Sequence, residues 1–124
     1  MISRRSGPVA IVEDDALMRD ALQGLLKEAG IPSRTFPSAE NFLDSDQPRL
    51  CACLITDIRM PGMSGLDLQA RLNAEGIRIP IIFITAHGDE RTRMQALRSG
   101  AVEFLTKPFD DEVLLDAVRA ALAY

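Results

Sequence analysis

The chain has 124 residues, of which 47% are apolar and 26% are charged, and its formal net charge is −4. This length leaves room for one domain of ordinary globular composition, able to bury about two-thirds of its unfolded surface. The acidic balance excludes a protein whose surface mainly grips nucleic acid or acidic lipid, so we expect neither direct nucleic-acid binding nor membrane binding.

The first predicted element is a strand over Pro8–Val12, followed by a helix over Ala16–Ala29 in which apolar residues recur at helical spacing. The basic segment Met1–Gly7 leads into no signal-type apolar core, and we predict that it is a flexible N-terminal tail. No apolar run of the sequence approaches the ~20 residues that span a bilayer. We therefore expect a cytoplasmic protein with one domain over residues 8–124.

Strand-length apolar runs then alternate with helical patterns to the end of the chain. The remaining predicted elements are a strand over Ser33–Phe36, a short helix opening at Ser38, and further strands and helices in turn over Ala52–Thr56, Ser64–Glu75, Ile81–Ile84, Asp89–Ser99, Val102–Thr106 and Asp110–Leu122. The third and fourth strands are apolar without alternation, as expected of central parallel strands covered on both faces. This pattern predicts an α/β fold with a doubly wound five-stranded parallel (βα)5 sheet, and the strand order expected of it is the flavodoxin-like 2-1-3-4-5.

The two cysteines, Cys51 and Cys53, lie two residues apart in a strand-like run, so we expect both on one face of the sheet. Their spacing is poorly suited to a disulfide, and two cysteines are too few for a zinc site. We interpret both as small core residues.

Polar side chains follow four of the five predicted strands. They are Glu13, Asp14 and Asp15 after the first strand, Asp57 after the third, Thr85 after the fourth and Lys107 after the fifth. Ligands of open parallel sheets bind beyond the carboxyl ends of the strands. In the order 2-1-3-4-5 the first and third strands are neighbours, so Asp14 is expected beside Asp57.

Several carboxylates in one crevice repel one another, and a divalent cation resolves that repulsion. Hard carboxylate oxygens without thiolates favour Mg²⁺, which is commonly completed by a phosphate. Lys107 is a point charge suited to that phosphate, and Asp is among the side chains that form phosphoryl intermediates. We therefore interpret Asp57 as a phosphoryl acceptor.

Each of these positions also has a plainer interpretation, because a single Asp or Thr at a strand end is usually a helix cap or a loop residue. Lys107 and Pro108 form either an ordinary loop or a cis peptide. His87 lacks an evident relay partner and is interpreted as a solvated loop residue. Arg59 is either a surface cation or part of the pocket mouth.

Four runs of the sequence together resemble a response-regulator receiver domain of the CheY-like kind, part of two-component systems. The runs are AIVEDD at residues 10–15, LITDIRMPGMSG at 54–65, ITAHGD at 84–89 and GAVEFLTKPF at 100–109. The resemblance covers Pro8–Ala123 with all motifs in order. The last two runs are most similar to FixJ-type receivers, which usually precede a LuxR-type DNA-binding domain.

The resemblance implies a role for each matched position. Asp57 would be phosphorylated by a sensor histidine kinase, and Mg²⁺ would be bound by Asp14, Asp57 and the backbone carbonyl of Arg59, with Glu13 acting through water. Thr85 and Ala86 would contact the phosphoryl group, Lys107 would pair with it, and Phe104 would be the switch aromatic. The function implied is a receiver controlling a transcriptional output domain, which catalyses its own phosphorylation and dephosphorylation without being a turnover enzyme. The alternative is a stand-alone receiver acting as a phosphorelay intermediate or interaction module.

The predicted helix Asp89–Ser99 has few apolar residues and should have low local stability. We expect phosphorylation to draw in Thr85, shift this helix and open room for Phe104 to turn inward. The changed face, residues 89–122, is expected to pair with a second copy or an output domain, and the first helix to serve the kinase.

Three rival functions fit the residues less well. A flavodoxin needs a Ser, Thr and Gly phosphate cradle after the first strand, where this chain has carboxylates. A nicotinamide enzyme needs G-x-G-x-x-G at the same place. A haloacid-dehalogenase-like phosphatase carries a second Asp two residues after its nucleophile, where this sequence has Arg59.

Overall fold

The computed structural model describes residues 6–123 of the chain. Most of the predicted tail, residues 1–5, therefore lies outside the described residues. Gly7 is packed against the domain, because its N–H donates to the carbonyl of Leu50 at 3.0 Å. A Cβ at this glycine would lie 2.1 Å from the same oxygen, so the close approach requires glycine.

The described residues form five strands and six helices, which alternate through most of the chain. The strands are β1 (Val9–Val12), β2 (Ser33–Phe36), β3 (Cys53–Asp57), β4 (Ile81–Thr85) and β5 (Glu103–Thr106). The helices are α1 (Ala16–Glu28), α2 (Ala39–Leu43), α3 (Gln47–Leu50), α4 (Gly65–Ala74), α5 (Glu90–Arg98) and α6 (Asp111–Leu122). All strand pairs are parallel, in the order β2-β1-β3-β4-β5, which confirms the predicted fold class.

The sheet separates two apolar layers because successive strand side chains point to opposite faces. One layer contains Ala10, Leu54 and Phe83, with apolar residues of α2, α4 and α5 packed against them. The other contains Ile11 and Ile55, with α1 and α6. Helices cover both faces, which explains why β1, β3 and β4 are buried along their whole length.

The prediction that Cys51 and Cys53 share one face is wrong. Strand β3 begins at Cys53, whereas Cys51 is the C-cap of the short helix α3, before strand alternation starts. Cys51 packs in the layer of Phe42 and Cys53 in the layer of Ile11. Both are buried, as the core interpretation expected, and burial raises the pKa of the Cys53 thiol to about 12.

Helix α5 is held by little apolar surface. Ala96 alone among its nine residues, all of them described, is buried, and Met94 is 47% exposed. Within residues 6–123, no helix combines the length and apolar character needed to cross a bilayer. The sparse packing of α5 agrees with the expectation from its composition.

Candidate functional site

Three carboxyl groups converge at the carboxyl ends of β1 and β3. Val12 pairs with Thr56, so the residues that follow them, Glu13 and Asp57, lie side by side. One ligand oxygen each from Glu13, Asp14 and Asp57 lies within 4.8 Å of the others. Glu13 and Asp57 are buried whereas Asp14 is exposed, so the cluster opens to solvent on one side.

Lys107 bridges the two buried acids. Its Nζ donates to Asp57 Oδ2 at 2.9 Å and to Glu13 Oε1 at 3.1 Å, and its side chain is 18% exposed. Its own N–H donates to the carbonyl of Thr85 at 2.7 Å, which fixes the loop after β5 against β4. The Lys107–Pro108 peptide is cis, one of the two alternatives that the sequence allowed.

The charges of the cluster act on one another. Burial raises the pKa of the Glu13 carboxyl, and the nearby Asp57 raises it further, against the lowering effect of the Asp15 N–H and of Lys107. Burial opposes the charged form of Lys107, but its hydrogen bonds to Asp57 and Glu13 outweigh that cost and raise its pKa. One ammonium against three carboxyl groups leaves an excess of negative charge, which suits a divalent cation.

Asp57 is fixed by its own loop. Its Oδ1 accepts from Ile58 N at 2.7 Å and from Arg59 N at 3.3 Å, while Oδ2 accepts from Lys107. Gly65 begins α4 directly behind it, and a Cβ there would lie 2.1 Å from the Asp57 carbonyl oxygen. Gly65 is therefore required for the close packing of α4 on the Asp57 carbonyl, a structural role that was not predicted from the sequence although Gly65 lies in one of the four quoted runs.

Arg59 lies on the solvent side of the site. The residue is exposed, and its charge is one of the influences that lower the pKa of Asp89, after the hydrogen bonds from Thr92. The role of its carbonyl as a metal ligand remains a prediction.

Thr85 ends β4 and is fully buried. Its neighbour Ile84 pairs with Asp57, so Thr85 lies one residue beyond the acid on the adjacent strand. Its Oγ1 accepts from His87 N at 3.1 Å, which orders the loop 86–88. Ala86 and His87 are exposed, and the solvated position of His87 agrees with its interpretation as a loop residue.

Phe104 already points inward in this structure, with 7% of its surface exposed. Its ring centroid lies 6.4 Å from that of Phe83. The backbone of Gly88 lies over it, since a Cβ at Gly88 would be 3.0 Å from the Phe104 ring and 2.4 Å from Thr106 Oγ1. The expectation that room must first be opened for Phe104 is therefore wrong for this structure, because Gly88 leaves the space.

Three supporting residues were not assigned from the sequence. Asp15 is the N-cap of α1, accepting from Leu17 N at 2.9 Å, a role that its position before an apolar helical pattern could have indicated. Arg19 Nη1 donates to the carbonyl of Glu13 at 2.9 Å, and Glu40 Oε2 accepts from Met63 N at 3.0 Å in the loop after Asp57. No sequence pattern indicates the Arg19–Glu13 and Glu40–Met63 contacts, because they form only in the folded chain.

The chain matches a known family model over most of its length. The model of the response regulator receiver domain matches residues 9–119. Response regulator protein TodT of Pseudomonas putida is 46% identical over 121 residues, covering 98% of this chain and 53% of that protein. Transcriptional regulatory protein FixJ of Azorhizobium caulinodans is 44% identical over 115 residues, covering 93% of this chain and 54% of that protein. The chain thus spans about half the length of the curated relatives it matches.

A solved structure supports the same relationship. The crystal structure of FixJ-N superimposes on the chain with a TM-score of 0.86 at 38% identity, covering 97% of this chain and 96% of that one. The matched region of the family model includes all three acids and Lys107.

Proposed function

The chain belongs to the response regulator receiver domain family, and on that basis we propose that Asp57 accepts a phosphoryl group from a sensor histidine kinase. The observation that carries the proposal is the bridge from Lys107 to Asp57 and Glu13 beside the exposed Asp14. An Asp57 carboxylate oxygen attacks phosphorus and forms an O–P bond. The P–N bond to the kinase histidine breaks, and its electron pair returns to the imidazole.

The donor set of the site fits Mg²⁺, since carboxylate oxygens gather there and no thiolate lies among the clustered groups. We propose that Asp14, Asp57 and the carbonyl of Arg59 would hold the ion, with Glu13 acting through water. When bound, the ion supplies positive charge that offsets the acids and the phosphoryl oxygens. Arg19 holds the Glu13 carbonyl and so positions the acidic loop.

Lys107 and Thr85 are the residues we assign to the phosphoryl oxygens. Lys107 Nζ lies 2.9 Å from the acceptor carboxylate and can transfer its hydrogen bond to an oxygen of the new group. Thr85 accepts from His87 N through its hydroxyl oxygen, and its hydroxyl hydrogen is the donor we propose for that group, with the N–H of Ala86 beside it. The domain would catalyse its own phosphorylation and dephosphorylation without turning over a separate substrate.

The kinase would dock beside α1. Leu17 is 82% exposed on this helix. A cleft between α1 and the loop after β5 is lined by Met18, Leu25, Pro108 and Phe109, so an apolar surface adjoins the loop that carries Lys107. A partner helix docked there would reach the acceptor from the open side of the cluster.

The output would be transcriptional. FixJ is named a transcriptional regulatory protein, and this chain covers about half of it. We propose that the receiver works with a C-terminal LuxR-type DNA-binding domain outside this chain. Phosphorylation would control it through the face formed by α5, β5 and α6, by contact or by pairing two copies.

The proposal is tested with acetyl phosphate as the donor and intact mass spectrometry as the readout. We expect the native protein with Mg²⁺ to gain one phosphoryl group, and Asp57→Asn to gain none. Asp15→Asn is the matched control, because it changes a neighbouring acid that caps α1 and leaves the cluster intact. Equal phosphorylation of Asp57→Asn, or full phosphorylation in excess chelator, would rule the assignment out.

A further inference from the structure

The C-terminal end of α5 is bound to α4 by two side-chain amides. Gln69 Nε2 donates to the carbonyl of Ala96 at 3.0 Å, and Asn73 Nδ2 donates to the carbonyl of Ser99 at 2.9 Å. The two donors are four residues apart, so they lie on one face of α4. Gln69 is 2% exposed, and a buried amide of this kind keeps its partner because an unmet hydrogen bond is costly.

The same end of α5 is closed by its own backbone. Gly100 has a φ of 109°, its N–H donates to Leu97 O at 3.1 Å, and Ala101 N donates to Ala96 O at 3.0 Å. This is the Schellman arrangement of a helix C-terminus. The Ala96 carbonyl therefore accepts from both the Ala101 N–H and the Gln69 side chain, which joins the end of α5 to α4.

The N-terminal end of α5 has no comparable attachment among the described residues. Residues 86–91 are exposed. The cap bond from Thr92 N to Asp89 and the ion pair of Arg93 with Glu90 both stay within residues 89–93. This end follows Thr85 by a loop of four residues, 86–89, so it is the part of α5 nearest along the chain to the proposed phosphorylation site.

We propose that Gln69 and Asn73 are positioning residues that make the C-terminal end of α5 a pivot, so that the response at Asp57 swings the N-terminal end. We call the two hydrogen bonds from Gln69 and Asn73 to the end of α5 the tether. The cause of the motion rests on the proposed function, whereas the tether does not. A helix attached at one end and loosely packed along its length converts a small pull at Thr85 into rotation. The pivot keeps Ala96 buried while the residues before it move.

The tether is tested first on the unphosphorylated protein by amide hydrogen exchange. In Gln69→Met, which keeps the length of the side chain but removes the donor, we expect the Gly100 and Ala101 amides to exchange about five- to tenfold faster, the effect of one lost hydrogen bond. Asn73→Ala should show the same acceleration. The matched control is Arg71→Ala, which removes an exposed cation of the same helix, paired with Glu75.

Asn73 is exposed, so we expect Asn73→Ala to fold. The exchange measurement on this variant therefore tests the tether even if Gln69→Met, a change at a buried residue, does not fold. Unchanged exchange of Gly100 and Ala101 in the folded variants would overturn the tether. An equal acceleration in Arg71→Ala would overturn it as well, because the effect would then come from α4 in general.

The pivot is tested by NMR contacts with beryllofluoride and Mg²⁺ as the phosphoryl mimic. Because both groups donate to the Ala96 carbonyl, we expect the Gln69 side-chain amide to stay close to the Ala101 N–H, while contacts of Gly88 with Phe104 and Thr106 change. Loss of the Gln69 contact, or unchanged contacts at both ends with the mimic bound, would overturn the pivot. Failure of the mimic to perturb Asp57 would instead count against the proposed function, and the exchange measurements would still decide the tether.

Discussion

Lys107 reaches two carboxylates that lie 94 and 50 residues away in the chain. Its ammonium is the neutralising partner of both buried acids, and the raised pKa of Lys107 records that stabilisation. The same atom is the one that we assign to the phosphoryl group. The roles of Lys107 as partner of the acids and as partner of the phosphoryl group can be tested separately. Loss of its positive charge should affect Mg²⁺ binding and phosphoryl binding differently.

We predict that Lys107→Ala and Asp14→Ala impair different properties, phosphoryl uptake in the first variant and Mg²⁺ binding in the second. Lys107→Ala should keep Mg²⁺ binding, since it removes only positive charge, but lose phosphoryl uptake by about 100-fold, as for other preorganised donors. Asp14→Ala should weaken Mg²⁺ binding by about 10- to 100-fold. Calorimetric Mg²⁺ titration and acetyl phosphate labelling measure the two effects. Equal losses of metal affinity in both variants would contradict the roles.

The alkaline stability of the protein should depend on the same lysine. Because its pKa in the folded protein lies above the ordinary value of 10.5, the ammonium stabilises the fold at every pH below 10.5. This stabilisation is lost as the pH rises through the folded pKa. The difference in unfolding free energy between native protein and Lys107→Met should be about 3 kcal/mol near neutrality and narrow above pH 10.5. Urea unfolding at several pH values measures it, and a difference independent of pH would contradict the assignment.

Gly65 should tolerate no side chain. A methyl group there would meet the Asp57 carbonyl oxygen at 2.1 Å, so Gly65→Ala must displace either α4 or the acceptor. We predict destabilisation of about 1–3 kcal/mol together with reduced phosphorylation. The control is Gly24→Ala in α1, where an added Cβ meets no atom within 4 Å. Thermal unfolding of both variants measures the difference, and equal effects would show that the close contact is unimportant.

At the scale of single elements, α5 depends on an ionisable cap. Asp89 accepts from Thr92 N at 2.7 Å, and this hydrogen bond lowers the pKa of Asp89 below its ordinary 3.8. A lowered pKa means that the cap stabilises the helix above pH 3.8 and is lost as the pH falls through the folded value. The start of α5 should therefore fray in acid before the rest of the domain.

We predict that Asp89→Ala loosens residues 90–93 at all pH values, whereas Asp89→Asn keeps a neutral cap and removes the acid dependence. Carbon chemical shifts of these residues between pH 7 and pH 3 report helix content. If Asp89→Asn loses helix content in acid as the native protein does, the fraying is caused by the titration of another group.

The sequence predicted the elements with long apolar patterns, and it missed the one that lacks such a pattern. Helix α3 has four residues with Pro48 in its first turn, too few to show a helical period. This omission caused the error for Cys51, which ends α3 and does not belong to β3. The acids and Lys107 were predictable because each lies at or just beyond the carboxyl end of a strand, whereas Arg19 and Glu40 act through contacts that only the folded chain creates.

At the scale of the whole molecule, the two sides of the sheet carry different exposed apolar residues. Met94 and Val102 are half-exposed on the face of α5 and β5, and Leu17 is exposed on α1 across the sheet. We predict that beryllofluoride with Mg²⁺ produces a heavier species in sedimentation, through pairing of the face of α5, β5 and α6. Asp57→Asn and Thr85→Ala should suppress that species.

Met94→Lys should also prevent this association, while Leu17→Lys serves as the matched control on the other side of the sheet. Amide exchange across residues 89–99 accompanies the sedimentation. If the mimic binds and neither the mass nor this exchange changes, the route from Asp57 through Thr85 to the surface is wrong.

The long sequence separations at Lys107 have a consequence for how the protein is made. During synthesis Glu13, Asp14 and Asp57 leave the ribosome well before the lysine that balances them, since Lys107 is 50 residues beyond Asp57. Strand β5 is also one of the two edge strands, and it pairs with β4. The growing chain therefore carries the three acids without their cation until almost all of the domain has emerged. A nascent chain therefore cannot form the ion pairs of Lys107 with Glu13 and Asp57 until β5 and the residue after it have emerged.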